Sequence, residues 1–425
     1  MNALYSNADG IRNSAFGDGA LYGNTDGSRN TALGRLALYH NQSGGFNVAI
    51  GESSMHSSSG SSHSNNIAIG YQSLYGVTTG NNSVAIGHQA GYSVTNSQIT
   101  AIGYQAGYSQ TGSIYYSVFV GQYAGKYISS NFNVAIGDLA MGAGSTTASN
   151  NTTSSVTAVG YKTYGGNSSS GIVGHSGVAV GQEALSRITT GNYNTALGTE
   201  ALAYTTTGSE NIAIGANSGK GNTTGYNNTY VGHSVASNSS SNGHSNTFVG
   251  SAVASGGAMT GNDNVGMGRN ALLALTSGVR NVALGHSALS ALTSGQENMA
   301  MGKSALLALT TGSQNVAIGQ SAMSSANGSE SYNIAIGHQA MNLVNDDSAD
   351  HNIALGYHAL QNTSRANSIG IGKEALKALT TGNNNLAIGY EAGKAITTVN
   401  DNTLVGYQSG KNVTGAGNTG LGMYS

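Results

Sequence analysis

The sequence predicts an all-β chain wound as a repetitive parallel β-solenoid, a β-roll or β-helix of about 24 coils of about 17 residues each. Three observations carry this prediction. One short unit recurs from end to end, each unit contains a five-residue alternation that closes on glycine, and the composition is too biased for ordinary domains.

Alignment on the glycine of Asn-Val-Ala-Ile-Gly gives twenty-four anchors, from Gly17 to Gly422, about 17.6 residues apart on average. Intervals of 16 to 19 residues account for 21 of the 23, and the two longer ones border Gly160. The whole chain, 1–425, therefore reads as one continuous repeat rod with loop insertions near 141–155 and 164–176. It begins at Ala3-Leu4 and stops three residues past Gly422, so both ends are expected to be cut mid-repeat.

The residue before the anchor is apolar in all twenty-four units, as in Ile50, Ile69, Val120, Leu284 and Met301. Two residues further back the position is β-branched or apolar everywhere but Ser14, and alanine usually stands between the two. Alternation of this kind is a strand signature. The large pair is expected to form the core, and the opposite face of Asn, Ala and Gly to lie against another backbone.

Four residues before the anchor, eighteen of twenty-four positions are asparagine, among them Asn47, Asn211, Asn281, Asn315 and Asn402. Stacked coils would set these amides in a ladder. With the anchors Gly51, Gly215, Gly285, Gly319 and Gly406, they form the expected structural repeat ladder.

After the anchor comes Gly-x-x-Ala-Leu, seen at Ala184-Leu185, Ala288-Leu289 and Ala375-Leu376. A unit of about 17 residues has no room for a strand, a full helix and two turns, so a second short strand or extended arc is expected here. Corners such as Leu292-Thr293-Ser294-Gly295 and Leu379-Thr380-Thr381-Gly382 then need glycine, expected to supply a positive φ. With parallel strands ~4.8 Å apart, twenty-three steps make a rod on the order of 110 Å long.

Composition narrows the function classes. Glycine is 65 of 425 residues, proline, cysteine and tryptophan are absent, and 8% of residues are charged. Regularly spaced aliphatics, within 38% hydrophobic residues, argue against disorder. A formal charge of −2 without any run of Lys or Arg gives no footprint for nucleic acid. No apolar stretch approaches a membrane span, so no membrane insertion is expected. Without cysteine there are neither disulfides nor thiolate metal sites.

The consensus Asn-x-Ala-Ile-Gly-x-x-Ala-Leu with Leu-Thr-Thr-Gly corners resembles the repeats of phage tail-fibre proteins. It is also similar to the heads of trimeric autotransporter adhesins, as in Asn315-Val316-Ala317-Ile318-Gly319. The resemblance covers essentially the whole chain and implies a homotrimer in a virion tail fibre or at an extracellular cell surface. The adhesin-head repeat is usually shorter than this one. The small face of Asn, Ala and Gly gives a separate reason to expect packing near a threefold axis.

The acids are scattered and no Ser/His/Asp set recurs, so no enzyme, catalytic residue or cofactor is expected. His88, His233, His286 and His338 follow anchors directly, but in the fifth, thirteenth, sixteenth and nineteenth coils, and no metal site is assigned to them. Tyr71, Tyr104, Tyr357, Tyr390 and Tyr407 lie just past anchors, where aromatic faces can pack on the sugar rings of a cell-surface glycan or receptor. The competing reading is edge packing between coils or chains. Phe119, Tyr230, Phe248 and Leu404 replace the inner alanine, and Gly266, Gly370 and Gly420 leave it empty, which would widen or tighten a chain–chain interface.

The leading functional expectation is a structural and adhesive fibre shaft. The alternative is a filament subunit that polymerises head to tail through open solenoid ends. An ice-binding solenoid ranks last, because Thr31, Thr195, Thr229 and Thr403 are irregular and point into the expected core.

Overall fold

A computed structural model describes residues 2–95, 98–108, 114–142, 152–165, 172–173, 176–238, 240–344, 347–363 and 365–425. The insertions expected near 141–155 and 164–176 fall largely outside these residues. Two compact units divide the chain, Met1–Ala216 and Asn217–Ser425. Each is a parallel β-solenoid, and no helix occurs among the described residues.

The first unit runs from β1 (Ser14–Phe16) to β12 (Ile212–Ile214), the second from β13 (Thr229–His233) to β24 (Thr419–Leu421). Most strands are three residues long, centred on the alanine two before the anchor. Within each unit every strand pairs in parallel with the next in sequence, and equivalent residues meet: Val316 faces Ile334, Ala317 faces Ala335 and Ile318 faces Ile336. One coil of register per repeat is what the period dictates.

Pairing continues beyond the strands. Leu289 N–H donates to Ala305 O at 3.0 Å, Leu306 N–H to Ala322 O at 3.0 Å and Thr293 N–H to Thr310 O at 2.9 Å. The turns are thus stacked as tightly as the sheet.

The segment after the anchor is not a second strand. Residues two and four past the anchor adopt left-handed conformations, as at Ser287 (φ 55°) and Leu289 (φ 51°), and a strand cannot pass through them. These paired left-handed residues turn the chain back within one coil. Their cost for a non-glycine residue, ~1–2 kcal/mol each, is met by burying the leucine and bonding its N–H to the next coil.

The two glycine classes also differ from expectation. Positive φ belongs to the anchors, for example +135° at Gly302, where a Cβ would stand 2.5 Å from Gly319 O. At the corner glycines Gly295 and Gly382 the constraint is close approach: a Cβ would strike Gly312 O or Val399 O of the following coil. Neither has a positive φ.

Apart from Asn13 and Asn418 in the first and last coils, the asparagines four before the anchor are buried, and those of the interior coils bond in both directions along the stack. Asn298 Nδ2 donates to Asn281 Oδ1 at 3.1 Å and to Gly312 O at 2.8 Å. Its Oδ1 accepts from the backbone N–H and the Nδ2 of Asn315, both at 3.0 Å. One side chain therefore ties three consecutive coils, which explains why an amide occupies a core column.

Candidate functional site

Which side of the strand lies inside decides what the surface offers, and the structure reverses the expected assignment. The alanine column is the core: Ala283, Ala300, Ala317 and Ala335 are fully buried. The large residues on either side point outward, so Ile69 and Val120 are only half-buried, while Leu197, Ile336 and Met301 remain 46%, 38% and 37% exposed.

The physical reason is the width of the coil. The interior is already filled by the Ala-Leu pair after the anchor and by an apolar residue three further on, such as Leu292, Leu309 or Ile396, all fully buried. Only a methyl group fits opposite them. Threonines of the same outer column, among them Thr31 and Thr195, likewise face away from the core rather than into it.

Exceptions in the alanine column show the same constraint. Phe119, Tyr230, Phe248 and Leu404 lie buried inside the coil rather than at a chain–chain interface. Each is matched by a small residue four past its own anchor, where leucine or methionine stands in most coils with alanine in the inner column: Gly125, Ala236, Ala254 and Gly410. A Cβ at Gly125 would strike the Phe119 ring, and one at Gly410 the Leu404 side chain. At Gly266 the vacated space is taken by Val253 and Phe248 of the preceding coil, 2.8 and 3.1 Å from where a Cβ would be.

Each unit therefore presents a sheet face two columns wide, one apolar throughout and the other, apart from Ser14, a mixture of aliphatic residues and threonine. At about 40% exposure, two side chains per coil leave on the order of 100 Å² of apolar surface, hence roughly 1,000 Å² along the twelve strands of one unit, well above an ordinary monomer's patch. Polar pairs border it: Arg280 Nη1 lies 3.0 Å from Glu297 Oε1, Gln314 Nε2 donates to Glu297 Oε2 at 3.0 Å, and Arg35 pairs with Glu52.

The five candidate glycan tyrosines do not form one site. Tyr71 and Tyr104 flank His88 at 5.2 and 5.0 Å, Tyr357 stacks on His338 at 5.5 Å, and Tyr390 stacks on Tyr407 at 5.1 Å. All five are exposed, but each has a ring face covered by a neighbouring coil. His88 thus serves as a rung between two tyrosines and His338 stacks on one tyrosine, Tyr357, while His233 and His286 sit elsewhere in the second unit.

A longer aromatic ladder escapes a reading confined to the positions beside the anchor. Five residues past its first six anchors the first unit carries Tyr22, Tyr39, His56, Tyr75, Tyr92 and Tyr108, with Tyr5 in the equivalent place before them. Successive rings stack at 4.9 to 5.3 Å. Reading every column of the repeat for its residue type reveals it.

In the second unit the same column ends in lysines. Lys394 bridges Glu374 and Glu391 at 2.5 and 2.7 Å, Lys377 reaches Glu374 at 3.1 Å and Lys411 reaches Glu391 at 2.7 Å. Hydrogen bonds from Lys394 and Lys411, with a further one from Gln408, hold the Glu391 carboxyl down at about 2. Burial holds the His63 imidazole down at about 4, with Ser57 Oγ 2.8 Å from Nε2. Among the described residues no three His, Asp or Glu converge as a metal-binding group.

Comparison with family models, with curated proteins and with solved structures finds no match to this chain. No helix among the described residues is long and apolar enough to cross a membrane.

Proposed function

We propose that this chain is a non-catalytic structural and adhesive fibre shaft, self-associated as a homotrimer through the outward strand face. The observation that carries the reading is a coil whose core is complete without its largest aliphatic side chains. Those side chains are then free to cover one another between copies of the chain, and a stable interface of roughly 800 Å² per partner is within their reach. The repeat supplies length and stiffness, since each coil contacts only its neighbours. A tail fibre or cell-surface adhesin, outside the cytoplasm, is the setting that uses these properties, with attachment to a surface glycan or receptor through exposed side chains.

Sedimentation equilibrium of the purified chain tests the reading. Three times the 42.6 kDa chain mass, independent of concentration, supports it. Particles that grow with concentration would favour the head-to-tail filament, and one chain mass would remove the self-associated shaft.

A further inference from the structure

We propose that the stacked tyrosines are oxidative cross-linking sites at which neighbouring coils become joined by dityrosine. In the first unit the ladder holds two triads, Tyr5–Tyr22–Tyr39 and Tyr75–Tyr92–Tyr108, interrupted by His56. Within the triads the centroids lie 4.9 to 5.0 Å apart and the ring planes are within 14° of parallel. Tyr390 and Tyr407 repeat this geometry in the second unit at 5.1 Å and 13°. Each of these side chains is exposed or half-exposed, so an external oxidant reaches its edge.

The chemistry requires two phenols held together for the lifetime of a radical. A haem peroxidase with hydrogen peroxide removes one electron and one phenolic proton from each ring. The two phenoxyl radicals join at the carbons ortho to oxygen, and loss of the two ring hydrogens to the phenolic oxygens restores both phenols. In sum two tyrosines lose two electrons and two protons, and one hydrogen peroxide takes them up to give two waters. Holding the rings in adjacent coils makes coupling intramolecular, with the advantage in effective concentration that proximity brings. The chain has no cysteine, so this is a covalent staple open to it where a disulfide is not.

The test treats dilute protein with a haem peroxidase and hydrogen peroxide, and maps cross-linked peptides by mass spectrometry. Expected are links Tyr5–Tyr22, Tyr22–Tyr39, Tyr75–Tyr92, Tyr92–Tyr108 and Tyr390–Tyr407, formed at a rate independent of protein concentration. Tyr226 and Tyr332, which stack on His244 and His351, serve as internal controls and should give none of these intramolecular links. The triple variant Y22F/Y92F/Y407F keeps an aromatic ring at each rung and should lose all five links, because the remaining tyrosines are then ~10 Å apart or paired with phenylalanine. The substitution His56→Tyr should gain new links from position 56 to Tyr39 and to Tyr75, a positive readout that does not depend on a loss. Links spread without regard to stacking, links only between molecules, no dityrosine at all, or an unchanged pattern in the triple variant would each overturn the proposal.

Discussion

Replacing Asn298 by alanine removes one rung of the buried amide ladder and leaves its neighbours in place. The backbone N–H of Asn298 keeps its bond to Asn281 Oδ1, but four side-chain bonds disappear. Two backbone groups lose these partners, the carbonyl of Gly312 and the N–H of Asn315. A buried polar group left without its partner costs about 1–3 kcal/mol, so the pair costs roughly 2–6 kcal/mol. Serine gives an internal scale, because Ser117, at the equivalent place in another coil, accepts from Asn133 N–H at 3.1 Å through its Oγ. Asn298→Ser should therefore recover the Asn315 contact but not the Gly312 one, and fall between the parent and Asn298→Ala. Solenoids open locally, so native-state hydrogen exchange at the Asn315 and Gly312 amides is the assay of choice, with urea unfolding followed by circular dichroism beside it. An alanine variant within about 0.5 kcal/mol of the parent, or a serine variant no better than alanine, would refute the ladder as a source of stability.

Three further outcomes are expected. Gly302→Ala should unfold or open its coil, losing about 2 kcal/mol or more, because its +135° φ and the nearby Gly319 carbonyl both oppose a methyl group; a thermal midpoint equal to the parent's would contradict this. His63 lies in a buried site where neighbouring coils have Gly44 and Gly80. Its folded value of about 4 lies below its ordinary 6.5, so the unfolded chain binds the proton first. Stability is full above the ordinary value and falls as pH drops towards 4, by about 3 kcal/mol in all; His63→Gly should abolish that dependence, and a slope retained in the variant would count against it. Glu391 is depressed instead, so the stability it brings is present above its ordinary 4.5 and lost as pH falls towards about 2; Glu391→Gln should flatten the acid limb of the unfolding curve in that window, and an unchanged limb would speak against a stabilising role for its ion pairs with Lys394 and Lys411.

Much of the fold is legible in the residues. The anchor column locates every strand, and the asparagine column announces an amide ladder before any coordinate is known. Period-2 alternation, however, distinguishes two faces without saying which is inside. Size suggests that Val316 and Ile318 go in and Ala317 stays out, and the coil's narrow interior decides the opposite. The informative signal is compensation across the coil: Phe119 with Gly125 and Leu404 with Gly410 conserve volume, which only residues sharing one core need do. The missing second strand has a similar cause. Ser287 and Leu289 carry no turn signature, and their left-handed conformations are imposed by stacking on the next coil rather than by local preference. The outward aliphatic face follows once inside and outside are assigned, and is not visible until then.

The most direct test of the central claim, that the outward aliphatic columns form a seam between copies of the chain, is the mass of the native particle by sedimentation equilibrium, for the parent and for I318S/I336S/M301S. The account predicts three chain masses for the parent, and for the variant a shift towards one chain mass with an unchanged circular dichroism spectrum, since none of these side chains fills the core. A parent at one chain mass, or a variant that unfolds while its outward residues alone have changed, would contradict it.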